Sequence, residues 1–331
     1  DLNRNKEIQK LLANEYKPMF DRSVMAKYPP GSIFKTVVGL VGLQEGVWDA
    51  SNYVYCGGGY WNGNKLQKCH RHVSCSNISL GIQHSCNTYF FTEFRRIIDK
   101  FGYTNPQKGL DVFSDYLYKF GFGRPLGIDF PNENKGNVPT SAYFDKVYPK
   151  AKGGWRSPGI ISIGIGQGEI QLSTIQMANL AATIANRGYF FTPHLVKTIK
   201  DGGKIDEKYT QKRSVGIDQH NFEVIIDGME GVVLAGTAKN AYIPDIPICG
   251  KTGTVQNPHN NKKDHSVFFG FAPKVNPKIA IAVYVEFGGW GRDFAAPIAS
   301  LMMEKYLRGY ISEGRKKWET KMKEAKLVNY E

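Results

Sequence analysis

The chain has 331 residues, of which 41% are hydrophobic and 22% charged. That balance is ordinary for a folded globular protein and excludes wholesale disorder, and no run of about 18 uncharged apolar residues is present to span a membrane. Lys and Arg number 43 against 30 Asp and Glu, a net charge of +13, which favours polyanionic partners: nucleic acid, an anionic membrane face or an anionic wall polymer. Much of the excess lies between Arg315 and Lys326. That stretch reads as a solvated helical tail without the character of a base-stacking surface, so no nucleic-acid partner is expected. The opening Asp1-Leu2-Asn3 reads as the start of a fragment of something longer.

In chain order, residues 1–31 are polar and end in Tyr28-Pro29-Pro30-Gly31, a sharp turn. The nearly unbroken apolar run from Ser32 to Leu43 predicts a buried helix, with Ser32 as its N-cap or first-turn residue. A Gly-, Asn- and Cys-rich loop follows over about residues 56–77. One helix is expected from Ile78 through Ile98, carrying Ser85 and Asn87 near its middle. Residues 104–160 read as irregular, with Gly, Pro and Asn punctuation. A helix from Ile175 to Asn186 is closed by Arg187-Gly188. Three apolar segments, 246–255, 266–271 and 279–285, read as strands of an antiparallel meander, and Pro297 to Leu307 as a helix packed on it. Helices in the middle and strands near the end predict an α+β fold.

Five cysteines, Cys56, Cys69, Cys75, Cys86 and Cys249, form no CxxC pair, which argues against a zinc ribbon or a thioredoxin-type motif. Cys56, Cys69 and Cys75 lie near His70 and His72, where a disulfide in an oxidising compartment and a zinc site would use the same atoms. The spacing matches no standard ligand template, so no metal ligand is assigned.

Three short motifs carry chemistry: Ser32-x-x-Lys35, Ser85-x-Asn87 and Lys251-Thr252-Gly253. Each alone is weak, yet each occurs once in the chain. On a helix, residues three apart share a face, so Lys35 presents its amine beside the Ser32 hydroxyl. A serine hydroxyl becomes a good nucleophile only when a base takes its proton. A lysine serves as that base when burial and a second cation depress its pKa. Lys251, arriving on a strand, supplies the second cation and attracts a substrate carboxylate. The helix N-terminus adds positive potential where an oxyanion would form.

These motifs, with Tyr28 to Ser32, Gly164-Ile165-Gly166-Gln167-Gly168, Gly250 to Thr254 and Asp264 to Pro273, resemble the transpeptidase domain of class B penicillin-binding proteins of the elongation type. The resemblance runs from about Asn14 to Leu307. It implies an antiparallel sheet covered by helices, with a mostly helical subdomain over about residues 45–235, strands over about 246–290 and a basic tail over 313–331. It implies Ser32 as the acylated nucleophile, Lys35 as its base and Ser85 as a proton relay. Asn87 would hold the substrate backbone, Lys251 and Thr252 its carboxylate, and the N–H groups of Ser32 and Thr254 the oxyanion, with Gly253 and Thr254 lining the site.

The implied reaction is D,D-transpeptidation of peptidoglycan stem peptides ending in D-Ala-D-Ala, inhibited by β-lactams and needing no cofactor. D,D-carboxypeptidases, serine β-lactamases and β-lactam sensors use the same motifs. The resemblance also implies the periplasmic face of the inner membrane, an anchor outside this sequence, and a membrane glycosyltransferase of the elongation machinery as partner. Some relatives of this type carry zinc near the cysteine cluster. Two departures stand out. Cys86 replaces Asp within the second motif and is expected to point away from substrate. Residues 1–27 are too few and too polar for the two strands that usually precede the Tyr-Pro-Pro-Gly-Ser turn, so a sheet of only the three late strands is expected.

Overall fold

The computed structural model of the protein describes residues 2–257 and 263–327. Its elements run α1 (Leu2–Ala13), α2 (Lys35–Gln44), β1 (Gly59–Asn62), β2 (Lys65–Lys68), α3 (Ile78–Gln83), α4 (Asn87–Ile98), α5 (Pro106–Lys119), α6 (Ser141–Val147) and α7 (Thr174–Ala185). There follow β3 (Tyr189–Phe190), β4 (Arg213–Ser214), α8 (Gln219–Leu234), β5 (Cys249–Val255), β6 (His265–Ala272), β7 (Ile279–Val285), α9 (Ala295–Arg308) and α10 (Glu313–Glu324).

The three late strands form an antiparallel sheet in the order β5-β6-β7, with Lys251 opposite Phe269 and Phe268 opposite Val283. Their Phe, Val and Ile side chains suit a pleated, packed surface. Helices α7 and α9 pack on β6 and β7, and α8 packs on β5. The fold is α+β, as expected, and among the described residues the main sheet has only these three strands. Residues 2–13 form a polar, exposed helix in place of a strand.

Two local expectations need correction. The stretch from Ile78 to Ile98 is two helices: α3 stops at Gln83, Ser85 takes a left-handed φ of 54°, and α4 starts at Asn87. A new cap marks the break: Cys86 is extended, and its Sγ accepts the Tyr89 N–H at 3.3 Å, while the Asn77 side chain caps the start of α3 by accepting the Leu80 N–H. Segment 104–160 is not irregular throughout, because Pro106 opens α5 and the Thr140 hydroxyl caps α6. Ser32 is a first-turn residue, one of the two places expected for it, inside a 3-10 turn, Gly31–Phe34, that runs into α2. The helix after Leu172 is closer to expectation, opened by a reciprocal Ser173–Gln176 capping box and ended by left-handed Arg187.

Helix α2 is buried on nearly every side, and α4 packs against it. The seam holds Glu93, fully buried, with neither carboxyl oxygen hydrogen-bonded. A Cβ on Gly42 would sit 2.3 Å from Glu93 Oε1, so the helices approach this closely through a glycine. Burial pushes the Glu93 carboxyl well above its ordinary value of 4.5. The folded state thus keeps a proton that the unfolded chain releases, and this contribution to stability is lost as pH rises above about 4.5. Glu93→Met should raise stability by about 1–3 kcal/mol at pH 8 and by less at pH 5. Thermal melts at both pH values check this, and a variant less stable than the parent at pH 8 contradicts it.

Candidate active site

The 3-10 turn that carries Ser32 is fixed from both ends. Gly31 N–H donates to Gly166 O at 2.9 Å, and Tyr28 exchanges backbone hydrogen bonds with Leu172. In a 3-10 turn, side chains three apart eclipse one another, which stacks Ser32 and Lys35 on one face. Ser32 is half-buried, and Lys35 has no exposed surface. Lys35 Nζ donates to Ser85 O at 2.7 Å, to Ser85 Oγ at 3.3 Å and to Asn87 Oδ1 at 2.7 Å. The left-handed turn at Ser85 aims all three acceptors at one ammonium. Burial lowers the Lys35 pKa, with the thiols of Cys69, Cys86, Cys75 and Cys56 pulling the other way, leaving it at about 8.

Strand β5 brings the third motif beside the turn. A Cβ on Gly253 would lie 3.2 Å from Pro30 O and 3.5 Å from Ser32 N, so β5 passes directly over the Ser32 amide. Lys251 is fully buried and donates to Thr252 O at 3.0 Å. Burial first, and the Lys35 charge second, hold its amine well below the ordinary lysine value. Thr252 is buried, whereas Thr254 is half-buried and its Oγ1 accepts the Gly291 N–H at 3.4 Å.

The structure therefore brings Ser32, Lys35, Ser85, Asn87, Lys251, Thr252, Gly253 and Thr254 to one place. The arrangement offers a hydroxyl, a buried amine of depressed pKa, backbone N–H groups at a turn, and a second amine with two threonine hydroxyls. That is the equipment of nucleophilic acyl transfer from a carboxylate-bearing substrate. Sequence reasoning passed over Thr237, whose Oγ1 lies 2.6 Å from Thr252 Oγ1; nothing in its local sequence marks it.

The expected cysteine–histidine cluster is regrouped. Cys56, Cys69, His72 and Cys86 hold their donor atoms within 4.8 Å of one another, while His70 and Cys75 stand outside the set. Cys86 enters because its sulfur caps α4 and points into the protein, away from the cleft as expected. No disulfide joins any of the five cysteines. Three sulfurs and one imidazole are a zinc donor set, and the surroundings fit that use. Asn87 N–H donates to Cys69 Sγ at 3.2 Å, and His72 Nδ1 meets Val73 O at 2.5 Å, which turns Nε2 toward the sulfurs, 3.4 Å from Cys69 Sγ.

A family model described as the penicillin binding protein transpeptidase domain matches residues 3–304. The peptidoglycan D,D-transpeptidase MrdA of Haemophilus influenzae is 29% identical over an alignment of 343 residues, covering 94% of this chain and 49% of that protein. MrdA of Escherichia coli K12 is 29% identical over 328 residues, 92% of this chain and 48% of that protein. The chain thus spans about half the length of the curated relatives it matches. PBP2 of Pseudomonas aeruginosa, solved in complex with WCK 5153, has a TM-score of 0.76 at 29% identity, over 93% of this chain and 66% of that one. PBP2 of Helicobacter pylori has a TM-score of 0.76 at 25% identity, over 92% and 54%. Three motifs meeting at one turn, and a family match that leaves out little of the sequence, lead to the same end: the chain belongs to the penicillin-binding protein transpeptidase domain family.

Proposed function

We propose that this domain is a D,D-transpeptidase that cross-links peptidoglycan stem peptides through an acyl-enzyme on Ser32. The convergence of the Ser32 turn, the Lys35–Ser85–Asn87 contacts and strand β5 carries this reading. The Ser32 hydroxyl attacks the carbonyl between the two terminal D-alanines while neutral Lys35 takes its proton. The Ser32 and Thr254 N–H groups stabilise the oxyanion. Ser85, in contact with Lys35, passes a proton to the departing D-Ala amine. The amine of a second stem peptide then attacks the ester, and Ser32 recovers its proton. Asn87 holds the donor peptide backbone, and Lys251 with Thr252 holds the terminal carboxylate, whose charge restores the proton that burial withholds from Lys251. β-Lactams enter the first half of this cycle and stop there.

In the cell we place the domain on the periplasmic face of the inner membrane, with a membrane glycosyltransferase of the elongation machinery as partner. No described helix is long and apolar enough to cross a membrane. We also assign a structural zinc to Cys56, Cys69, His72 and Cys86. It would supply a fixed tetrahedral crosslink, and Cys69 would transmit that rigidity to Asn87 through the N–H···S bond.

Four outcomes are expected. Mass spectrometry after incubation with benzylpenicillin should find one covalent adduct on Ser32, absent from Ser32→Ala, and an unmodified parent protein would refute the reading. The acylation rate should climb as pH rises through about 8, where Lys35 loses its proton, and then level off. Lys251→Met tests the cost of a buried amine. Folding depresses this lysine's pKa, so stability rises with pH between the folded value and the unfolded 10.5, and at pH 7 the residue is destabilising. The variant should melt higher, by about 1–3 kcal/mol, and acylate at least about tenfold more slowly. Protein purified without chelator should carry about one zinc per chain. Stripping the metal should lower the melting temperature and increase the count of reactive thiols, and a metal-free protein with unchanged stability would dismiss the site.

A further inference from the structure

We propose that Thr237 is a positioning residue that aims the Thr252 hydroxyl proton at the terminal carboxylate of the substrate. The proposal rests on the acyl-transfer reading above. Thr237 follows α8 in the turn Ala235-Gly236-Thr237-Ala238, and its Oγ1 lies 2.6 Å from Thr252 Oγ1. A hydroxyl owns one proton and a carboxylate owns none. If Thr252 gave its proton to Thr237, it would have nothing to offer the substrate. In the complex Thr237 must therefore be the donor, and its bond to Thr252 leaves the Thr252 proton pointing away from α8, toward the cleft.

The turn is built to hold that donor still. Ala238 N–H donates to Val232 O at 3.0 Å, and Ala238 is fully buried. A Cβ on Gly236 would fall 2.5 Å from Gln83 O and 2.7 Å from Val232 Cα, so this backbone is wedged between α8 and the end of α3. Gln83 lies two residues ahead of Ser85. The same short turn thus touches the segment leading to the second motif with its backbone and the third motif with a side chain. Thr252 itself is buried, so the orientation of its hydroxyl is set by protein neighbours.

The test compares second-order acylation rates of the parent, Thr237→Val, Thr237→Ala and Thr237→Ser with benzylpenicillin and with its methyl ester, which lacks the carboxylate charge. The hydroxyl-free variants should acylate about tenfold or more slowly with benzylpenicillin and at an unchanged rate with the ester. Thr237→Ser should restore the parent rate, and in a Thr252→Val background Thr237→Val should change nothing further. Should Thr237→Val fold poorly, Ala and Ser still differ by a single oxygen and decide the matter. Parent-like rates in both hydroxyl-free variants overturn the proposal and leave the acyl-transfer reading standing. Equal losses with acid and ester also overturn it, by making Thr237 a general support of the fold. A parent protein that is not acylated at all removes both.

Discussion

One buried ammonium organises this molecule. Lys35 lies at the start of a helix packed on all sides, and its amine is met by a main-chain carbonyl, a hydroxyl and a carboxamide oxygen from a single turn fifty residues on. A charged amine without water is costly, and partial compensation by neutral dipoles is a compromise between two demands. Fully paired with a carboxylate, the lysine would hold its proton too tightly to act as a base. Left without acceptors, it would not stay in place. Three neutral oxygens seat it while keeping the proton loosely held.

The same compromise runs through the surrounding architecture. Ser85 adopts a left-handed backbone that is uncommon for a residue with a side chain, and that strain lets one residue present both its carbonyl and its hydroxyl to Lys35. Lys251 is buried with little compensation, its amine bonded to the Thr252 carbonyl. Glu93 sits unpartnered in the seam between α2 and α4. Stability is withheld at positions near the chemistry and supplied by the apolar contacts of α8, α9 and the sheet around them.

Much of this was legible before any coordinates. The three motifs each occur once and in a fixed order, and the apolar run after Ser32 could only be a buried helix. The late strands showed their period and their β-branched residues, and the polar start left no room for further strands. The failures share a cause. The break at Ser85 was hidden because apolar residues continue on both sides of it, while the cap that starts α4 is made by Cys86, a residue within the motif itself and an unusual capping type. Segment 104–160 concealed two helices because Pro106 and Gly109 fall within the first turns of α5 and further Gly and Pro residues crowd the link to α6. The fourth donor of the thiol cluster, Cys86, was read as a variation in the catalytic motif, and Thr237 was invisible because its partner is distant in sequence. Spacing reveals neighbours along a helix; it does not reveal which loops fold back on one another.

The outer side of β7 has a consequence of its own. Among the described residues no strand pairs beyond it, although Ile279, Ile281, Val283 and Val285 are only half-covered. A row of unsatisfied amides and carbonyls next to branched aliphatic groups is adhesive toward any extended peptide of matching register. Lys278 stands exposed just before the strand, and Glu286 just after it is drawn off to Tyr28 and Arg22. The ledge thus carries a free charge at one end only, while at the other its acid is spent on holding the chain that leads to Ser32.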